Sequence, residues 1–461
     1  MCSIRPRVFK LAVIAATAAL ALDYCFAGRA VYAQQLLQTS QSPGPRLTLA
    51  EIERMALQNN PTLAQAEAAI QAARGRGRQA GTFPNPVAGY QGEEFAFRAF
   101  KDKSEHFFFL EQTIPLGGKL SKARRVFEQE VARAETESTA QKQRVLNTVR
   151  LLYYEALGAD RRIELRSELA RIAREATKTT SELLNVGQAD RPDFLESEIE
   201  AERVELELAN AQNDREQIWR VLAPVIGMPA MEPARLAGDL EANLPKLDQE
   251  SLTATLLRDS PEIRSAKTEA ERARAVLARA KAERAPDLFV RGAVGYSNEL
   301  LETLTGPAGR RTGPEASVEI GVTLPLFNRN KGGINAAEAE VVAAERNVQR
   351  VELALRVRLA QAFRDYNNAL NAVERYKQII LPRAEQSYEL YLAKFKQMAA
   401  AYPQVLIAQR TLFQARENYL DALVALRQTV VQIEGFFLTG ALDAPRVGSS
   451  EAERIFKGAI L

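Results

Sequence analysis

Residues 47–234 and 247–439 run through the same succession of patterns twice, and this internal duplication leaves few architectures open to the chain. Each half starts with a helical signal and an X-Pro step, Asn60-Pro61 in one and Ser260-Pro261 in the other. Each then reaches a second proline, Pro86 or Pro286, followed by a strand-like segment closing on Gly89-Tyr90 or Gly295-Tyr296. A polar loop and a second strand end in the near-identical Thr113-Ile114-Pro115-Leu116 and Thr323-Leu324-Pro325-Leu326. A very long helical stretch completes each unit. Residues 235–246 read as a linker, 34–46 as an N-terminal extension and 440–461 as a C-terminal tail.

The first 33 residues read as a secretory signal. Arg5, Arg7 and Lys10 precede the apolar run Leu11 to Leu22, and Val31-Tyr32-Ala33 offers small residues for cleavage, whose exact site stays open. The run falls short of the roughly 20 residues a spanning helix needs, and no later segment approaches that length. Removing the segment leaves 57 acidic and 57 basic residues, so the exported chain is formally neutral and carries no basic stripe for nucleic acid. Both cysteines, Cys2 and Cys25, fall within the leader, which removes disulfides and thiolate metal sites from the remainder. Leu22-Asp23-Tyr24 before Cys25 is bulky and charged where a lipid-anchor motif wants small residues.

From 119 to about 186 there is no proline and a single glycine, Gly158. A continuous helix of that length reaches roughly 100 Å, more than a globular domain of this size holds. Leu165, Leu169, Ile172 and Ala176, and in the second half Leu412, Tyr419, Leu423, Leu426, Val430 and Ile433, keep coiled-coil spacing. Glu196, Glu198, Glu200, Glu202, Arg203 and Glu205 read as a solvated face. Each long stretch breaks once, at 185–192 and at 396–403. Gly187 suits a left-handed helix end, and Pro192 and Pro403 suit first turns of new helices. These are tips of antiparallel hairpins.

The strands alternate. Val318, Ile320, Val322 and Leu324 oppose Ser317, Glu319, Gly321 and Thr323; Val290, Val294 and Tyr296 oppose Phe289, Arg291, Ala293 and Gly295. Phe107, Phe108 and Phe109 blur the pattern in a third strand, where Glu111 and Thr113 still share a parity. Strands of about ten residues with one apolar face match outer-membrane barrel walls. Four strands cannot close a barrel, and edges inside a bilayer must be paired, so several chains have to contribute to one barrel.

With these features in place, the chain resembles the outer membrane efflux protein family, the TolC-like trimeric exit ducts, over nearly its whole length after the leader. The resemblance rests on the repeat, on Phe83-Pro84-Asn85-Pro86, on Glu111 through Lys119 (EQTIPLGGK) and on the two tips. The Ile-Pro-Leu-Gly-Gly-Lys form is similar to the branch serving heavy-metal pumps of the resistance-nodulation-division type. The resemblance implies a mainly α fold with a β-barrel portion. Three chains would form a twelve-stranded barrel in the outer membrane and a helical tunnel across the periplasm. It makes Pro115 and Pro325 the strand-to-helix turns and Glu111, Thr113, Glu319 and Thr323 the barrel lumen. The surface loops would be Gln91 to Ser104 and Ser297 to Glu315, the latter holding Gly306, Gly309 and Gly313. Gly187, Gln188, Ala189, Met398, Ala399 and Ala400 become candidates for docking a periplasmic adaptor, whose partner is an inner-membrane resistance-nodulation-division transporter. Some relatives narrow the periplasmic end with aspartates after the second tip; here Gln404 and Ile407 stand there. Asp190, Asp193 and Glu196, with Tyr402, are the alternative gate residues.

Nucleophile and base combinations are missing, as is a glycine-rich phosphate cradle, so neither catalysis nor a cofactor is expected. The single histidine, His106, and the absence of cysteine after the leader argue against a resident transition-metal site. Met228 and Met231 read as packing in the connection between halves. The expected function is the exit duct of a tripartite efflux pump, with heavy-metal cations as cargo. Drug efflux or polypeptide secretion through the same fold is the alternative, and a soluble periplasmic coiled-coil scaffold is a competitor of another class.

Overall fold

The computed structural model describes residues 46–93, 104–303, 306–397, 399 and 402–446. The expected leader with Cys2 and Cys25, nearly all of the extension, the tip residues Met398 and Ala400 and the end of the tail lie outside them.

The first half contains β1 (Leu47–Thr48), α1 (Leu49–Asn59), α2 (Pro61–Ala80), β2 (Val87–Glu93), β3 (Glu105–Pro115), α3 (Lys119–Asn185) and α4 (Arg191–Ile226). After a short β4 (Leu236–Ala237), the second repeats the order: α5 (Gln249–Asp259), α6 (Pro261–Ala282), β5 (Asp287–Thr303), β6 (Gly306–Val322), α7 (Lys331–Arg375), a π turn (Tyr376–Ile380), α8 (Leu381–Lys396) and α9 (Tyr402–Glu434). Local chemistry sets the boundaries. Thr48 and Glu51 form a capping box at the start of α1. The two X-Pro steps place proline at the first position of α2 and α6, where a missing amide costs no helical bond.

The four long strands form one antiparallel sheet in the order β2-β3-β5-β6. One glycine-rich stretch departs from expectation. Most of the anticipated loop Ser297–Glu315 is strand, because β5 continues to Thr303 and β6 resumes at Gly306, with register shifts after Ser297 and Leu300. Glycine weakens a strand without forbidding it, and Pro307 and Pro314 sit on the sheet's edge strand, where a missing amide is tolerated.

The helices run as long antiparallel hairpins, and α3 is unbroken for 67 residues. The expected leucine seam is displaced. Beyond Ala159, the buried positions of α3 are Ala170, Ala173 and Thr180, whereas Leu165, Leu169, Ile172 and Ala176 are half-buried. Small residues let α3 and α4 approach, and Thr180 exchanges a 2.8 Å hydrogen bond with Ser197 across the pair. In α9 the run Leu412 to Ile433 is buried as its spacing predicts, apart from half-buried Tyr419. The second hairpin also departs from a single break, since a π turn precedes α8. The Leu381 amide reaches back five residues to the Tyr376 carbonyl. Pro382 explains it: in a regular helix its ring would clash with the carbonyl four residues earlier, and the wider turn relieves that clash.

The main core lies where the connection between halves and the C-terminal segment cross the helices. Trp219, Leu222, Ile226, Leu355, Phe363, Leu426 and Ile433 fill it. Trp219 donates to the Met231 carbonyl at 2.9 Å, and Asn147 donates to the carbonyls of Gly435 and Leu438 at 2.7 and 2.8 Å. Residues 235–246 pack into this core through Leu236, Leu240 and Leu244, with Leu47 pairing Leu236 in parallel. Met231 packs on this core, while Met228 is 39% exposed.

Candidate functional site: the sheet wall and the hairpin tips

Strand register sorts the side chains of the sheet onto two faces. Tyr90, Phe108, Val294 and Ala316 lie in one row across all four strands, and Leu110, Gly292 and Val318 continue that face. Phe108, Val294, Val318 and Ile320 are 63–76% exposed there, an apolar surface with no cover among the described residues. The other face carries Glu111, Arg291 and Glu319 in one cross-strand row and Thr113 beside Phe289. Thr323 follows by parity and donates its amide to the Asp287 carbonyl at 3.0 Å. The four residues anticipated as lumen therefore share one face. Exposure alternates with the register along β5, where Arg291, Ala293 and Gly295 are half-buried and Gly292, Val294 and Tyr296 exposed. Mutual shielding on one side is what a concave polar wall produces.

Sequence pattern placed Phe289 and Arg291 opposite Val290, Val294 and Tyr296, but left Phe107 and Phe109 unsorted; register puts all four on this wall. The Arg291 guanidinium lies 4.2 Å from the centroid of the Phe109 ring and donates to Gln91. The triple phenylalanine resolves by parity, with Phe108 on the apolar face and its neighbours on the polar one. His106 lies on the apolar face, bonded to the Tyr90 hydroxyl at 2.5 Å and to Ser104 at 3.0 Å. Among the described residues, no group of three or more His, Cys, Asp or Glu could hold a metal ion.

At the base of the sheet, Pro115 pairs with Asp287 as the last position of β3. Lys119 pins that corner through a 2.8 Å ion pair to Asp287, and Gly117 and Gly118, both left-handed, turn the chain into α3. Pro325 stands in the matching connection after β6.

The first tip closes on Gly187, whose φ of +73° favours glycine, while the Gln188 amide donates to the Leu183 carbonyl at 2.8 Å. Gly187 and Gln188 are exposed and Ala189 half-exposed. Asp190 and Glu196 are exposed and Asp193 is half-buried at the start of α4. In the second tip, the Ala399 amide donates to Lys394 at 2.8 Å, and Gln404 is exposed. Tyr402 is packed inward, 8% exposed and tilted against Phe395 at 5.9 Å between centroids. Burial first, then the Glu200 and Glu196 carboxylates, push its hydroxyl up to about 12.

Glu200 corrects the reading of the acidic run as uniformly solvated. Its side chain is 3% exposed and joins two hairpins, paired with Arg203 at 2.7 Å and with Arg410 of α9 at 2.6 Å. Burial works to raise its pKa; the bonds from Arg410 and Arg203 outweigh that and hold the carboxyl below its usual range. The charge alternation along α4 gave no sign of this, because Arg410 lies far away in sequence.

The model of the family described as outer membrane efflux protein matches residues 53–228 and 252–436, one segment in each half. The chain belongs to this family. It is an outer-membrane efflux channel, a conduit and not an enzyme. Family membership replaces the soluble-scaffold alternative. The cobalt-zinc-cadmium resistance protein CzcC of Cupriavidus metallidurans is 26% identical over 396 residues, spanning 86% of this chain and 90% of that protein. The outer-membrane channel OprN superposes with a TM-score of 0.71 at 17% identity, covering 85% of this chain and 90% of its own. VceC of Vibrio cholerae does so with a TM-score of 0.69 at 19% identity, covering 85% and 96%.

Proposed function

We propose that three copies of this efflux channel close a twelve-stranded barrel in the outer membrane, continued by a helical tunnel, as the exit duct of a tripartite pump. The observation that carries the proposal is a sheet with one exposed apolar face whose outer edges, on β2 and β6, are unpaired among the described residues. Lipid covers such a face, and only neighbouring strands satisfy such edges. Glu111, Thr113, Glu319 and Thr323 then line the lumen, and Pro115 and Pro325 mark the passage from barrel to tunnel. Gly187, Gln188 and Ala189, with Met398, Ala399 and Ala400, meet the periplasmic adaptor. Asp190, Asp193, Glu196 and Gln404 ring the closed end. Tyr402, anticipated as a constricting side chain, serves instead as internal packing of the second hairpin. Energy comes from an inner-membrane transporter.

For cargo, drugs and other small solutes are better supported than heavy-metal ions alone, because phenyl rings share the polar wall with the carboxylates. The metal reading keeps one specific observation, the 26% identity to a cobalt-zinc-cadmium resistance protein. The test is tolerance and intracellular accumulation in a strain lacking this gene, with the gene restored as control. Broad sensitivity to dyes and antibiotics supports the drug reading, and sensitivity confined to metal ions supports the other. Loss of a secreted polypeptide with no change in tolerance contradicts both.

A further inference from the structure

Three glycines on the polar face of the sheet share one arrangement. Gly89 stands across from Phe109, Gly295 from Phe107 and Gly321 from Phe289, each pair in register on neighbouring strands. In each case the phenyl ring covers the glycine. A Cβ on Gly89 would lie 2.5 Å from the Phe109 ring, and one on Gly321 would overlap the Phe289 ring. A Cβ on Gly295 would strike both the Phe107 ring and the His106 carbonyl. Gly292, which register puts on the apolar face, has no atom within 4 Å of its would-be Cβ. The ring-over-glycine pairing therefore belongs to the polar face.

An aromatic side chain that crosses to a glycine on the next strand lies along the sheet and buries one of its own faces. The consequence is large in a barrel of intermediate size. Eight-stranded barrels are filled by their own side chains, while those of sixteen or more strands leave an aqueous channel. Between these limits, side-chain posture decides whether a lumen exists. Three rings from each of three chains, standing away from the wall, would crowd it.

We propose that Gly89, Gly295 and Gly321 are positioning residues that set the bore of the barrel by letting Phe109, Phe107 and Phe289 lie flat against its wall. This rests on the trimeric-barrel reading above. The stack over Gly89 has a further layer: Arg291 lies over the Phe109 ring and is itself held by Gln91. A methyl group at position 89 would displace that ring together with the guanidinium on it.

The test compares wild type with the double variant Gly89→Ala/Gly321→Ala, each as the intact full chain in planar bilayers. Neutral polyethylene glycols of graded size are added on the barrel side alone, so that the size limit reports the barrel and not the tips. Trimer assembly is checked on the same samples. The double variant should exclude polymers that wild type admits, and adding Phe109→Ala and Phe289→Ala should restore the wild-type limit. An assembled Gly→Ala trimer with an unchanged limit overturns the proposal. If that variant does not assemble, Phe109→Ala/Phe289→Ala alone decides: flat rings predict little change in the limit, and marked widening shows that the rings already stand in the lumen. A wild-type chain that assembles into no trimer removes the shared-barrel reading and this inference with it.

Discussion

Glu200 shows how one side chain ties two hairpins together near their tips. Buried between Arg203 and Arg410, it loses both partners on Glu200→Ala, while both guanidiniums can turn partly to water. The expected cost is about 1–3 kcal/mol, measured by denaturant unfolding, and a double-mutant cycle with Arg410→Ala should show the two changes to be non-additive. Because the Glu200 carboxyl is held below its usual range, its contribution is complete above the ordinary glutamate pKa of about 4.3 and declines as pH falls below it. Protection against hydrogen exchange at the tips, taken relative to the intrinsic amide rate at each pH, should therefore fall in acid for wild type, and less steeply for Glu200→Gln. Tyr402 acts at the other end of the pH range. Its hydroxyl is pushed up to about 12, so the neutral form is favoured on folding; this contribution is present below the ordinary tyrosine pKa of about 10 and lost as pH rises towards 12. Tyr402→Phe should flatten that alkaline decline in a pH-resolved unfolding series.

Among the helices, packing followed side-chain size more closely than hydrophobicity. The heptad spacing of Leu165, Leu169 and Ile172 pointed to them as the seam, yet in this part of α3 Ala170, Ala173 and Thr180 are the buried positions. Ala173→Leu should accordingly destabilise the hairpin by about 1–3 kcal/mol through overpacking, whereas Leu169→Ala, at a half-buried site, should cost about 1 kcal/mol. Thermal unfolding of the two variants gives the comparison. A similar crossing occurs at Gly158, where a Cβ would lie 2.5 Å from the Val424 side chain of α9. Boundaries carried by proline and capping residues were legible in sequence, including both tips and the X-Pro starts of α2 and α6. The π turn was not read, although Pro382 carries its cause in plain view. The long β5–β6 hairpin was hidden by Gly306, Gly309 and Gly313, whose loop chemistry gave way to ladder pairing broken by two register shifts.

Duplication, alternation and the two long hairpins are legible in the sequence because they are properties of order along the chain. The polar wall was only half legible for the converse reason. Parity identified Glu111, Thr113, Glu319 and Thr323, but the covering of Gly89, Gly295 and Gly321 by phenylalanines depends on strand register, which pairs residues distant in sequence. The exposed apolar face and the two edges, unpaired among the described residues, then make a single copy incomplete as a membrane protein. Native mass spectrometry of the protein extracted from outer membranes measures that incompleteness directly. A species of three chains, with no stable monomer in the soluble periplasmic fraction, is the predicted result; a soluble monomer, or an assembly of another number of chains, would contradict the shared barrel.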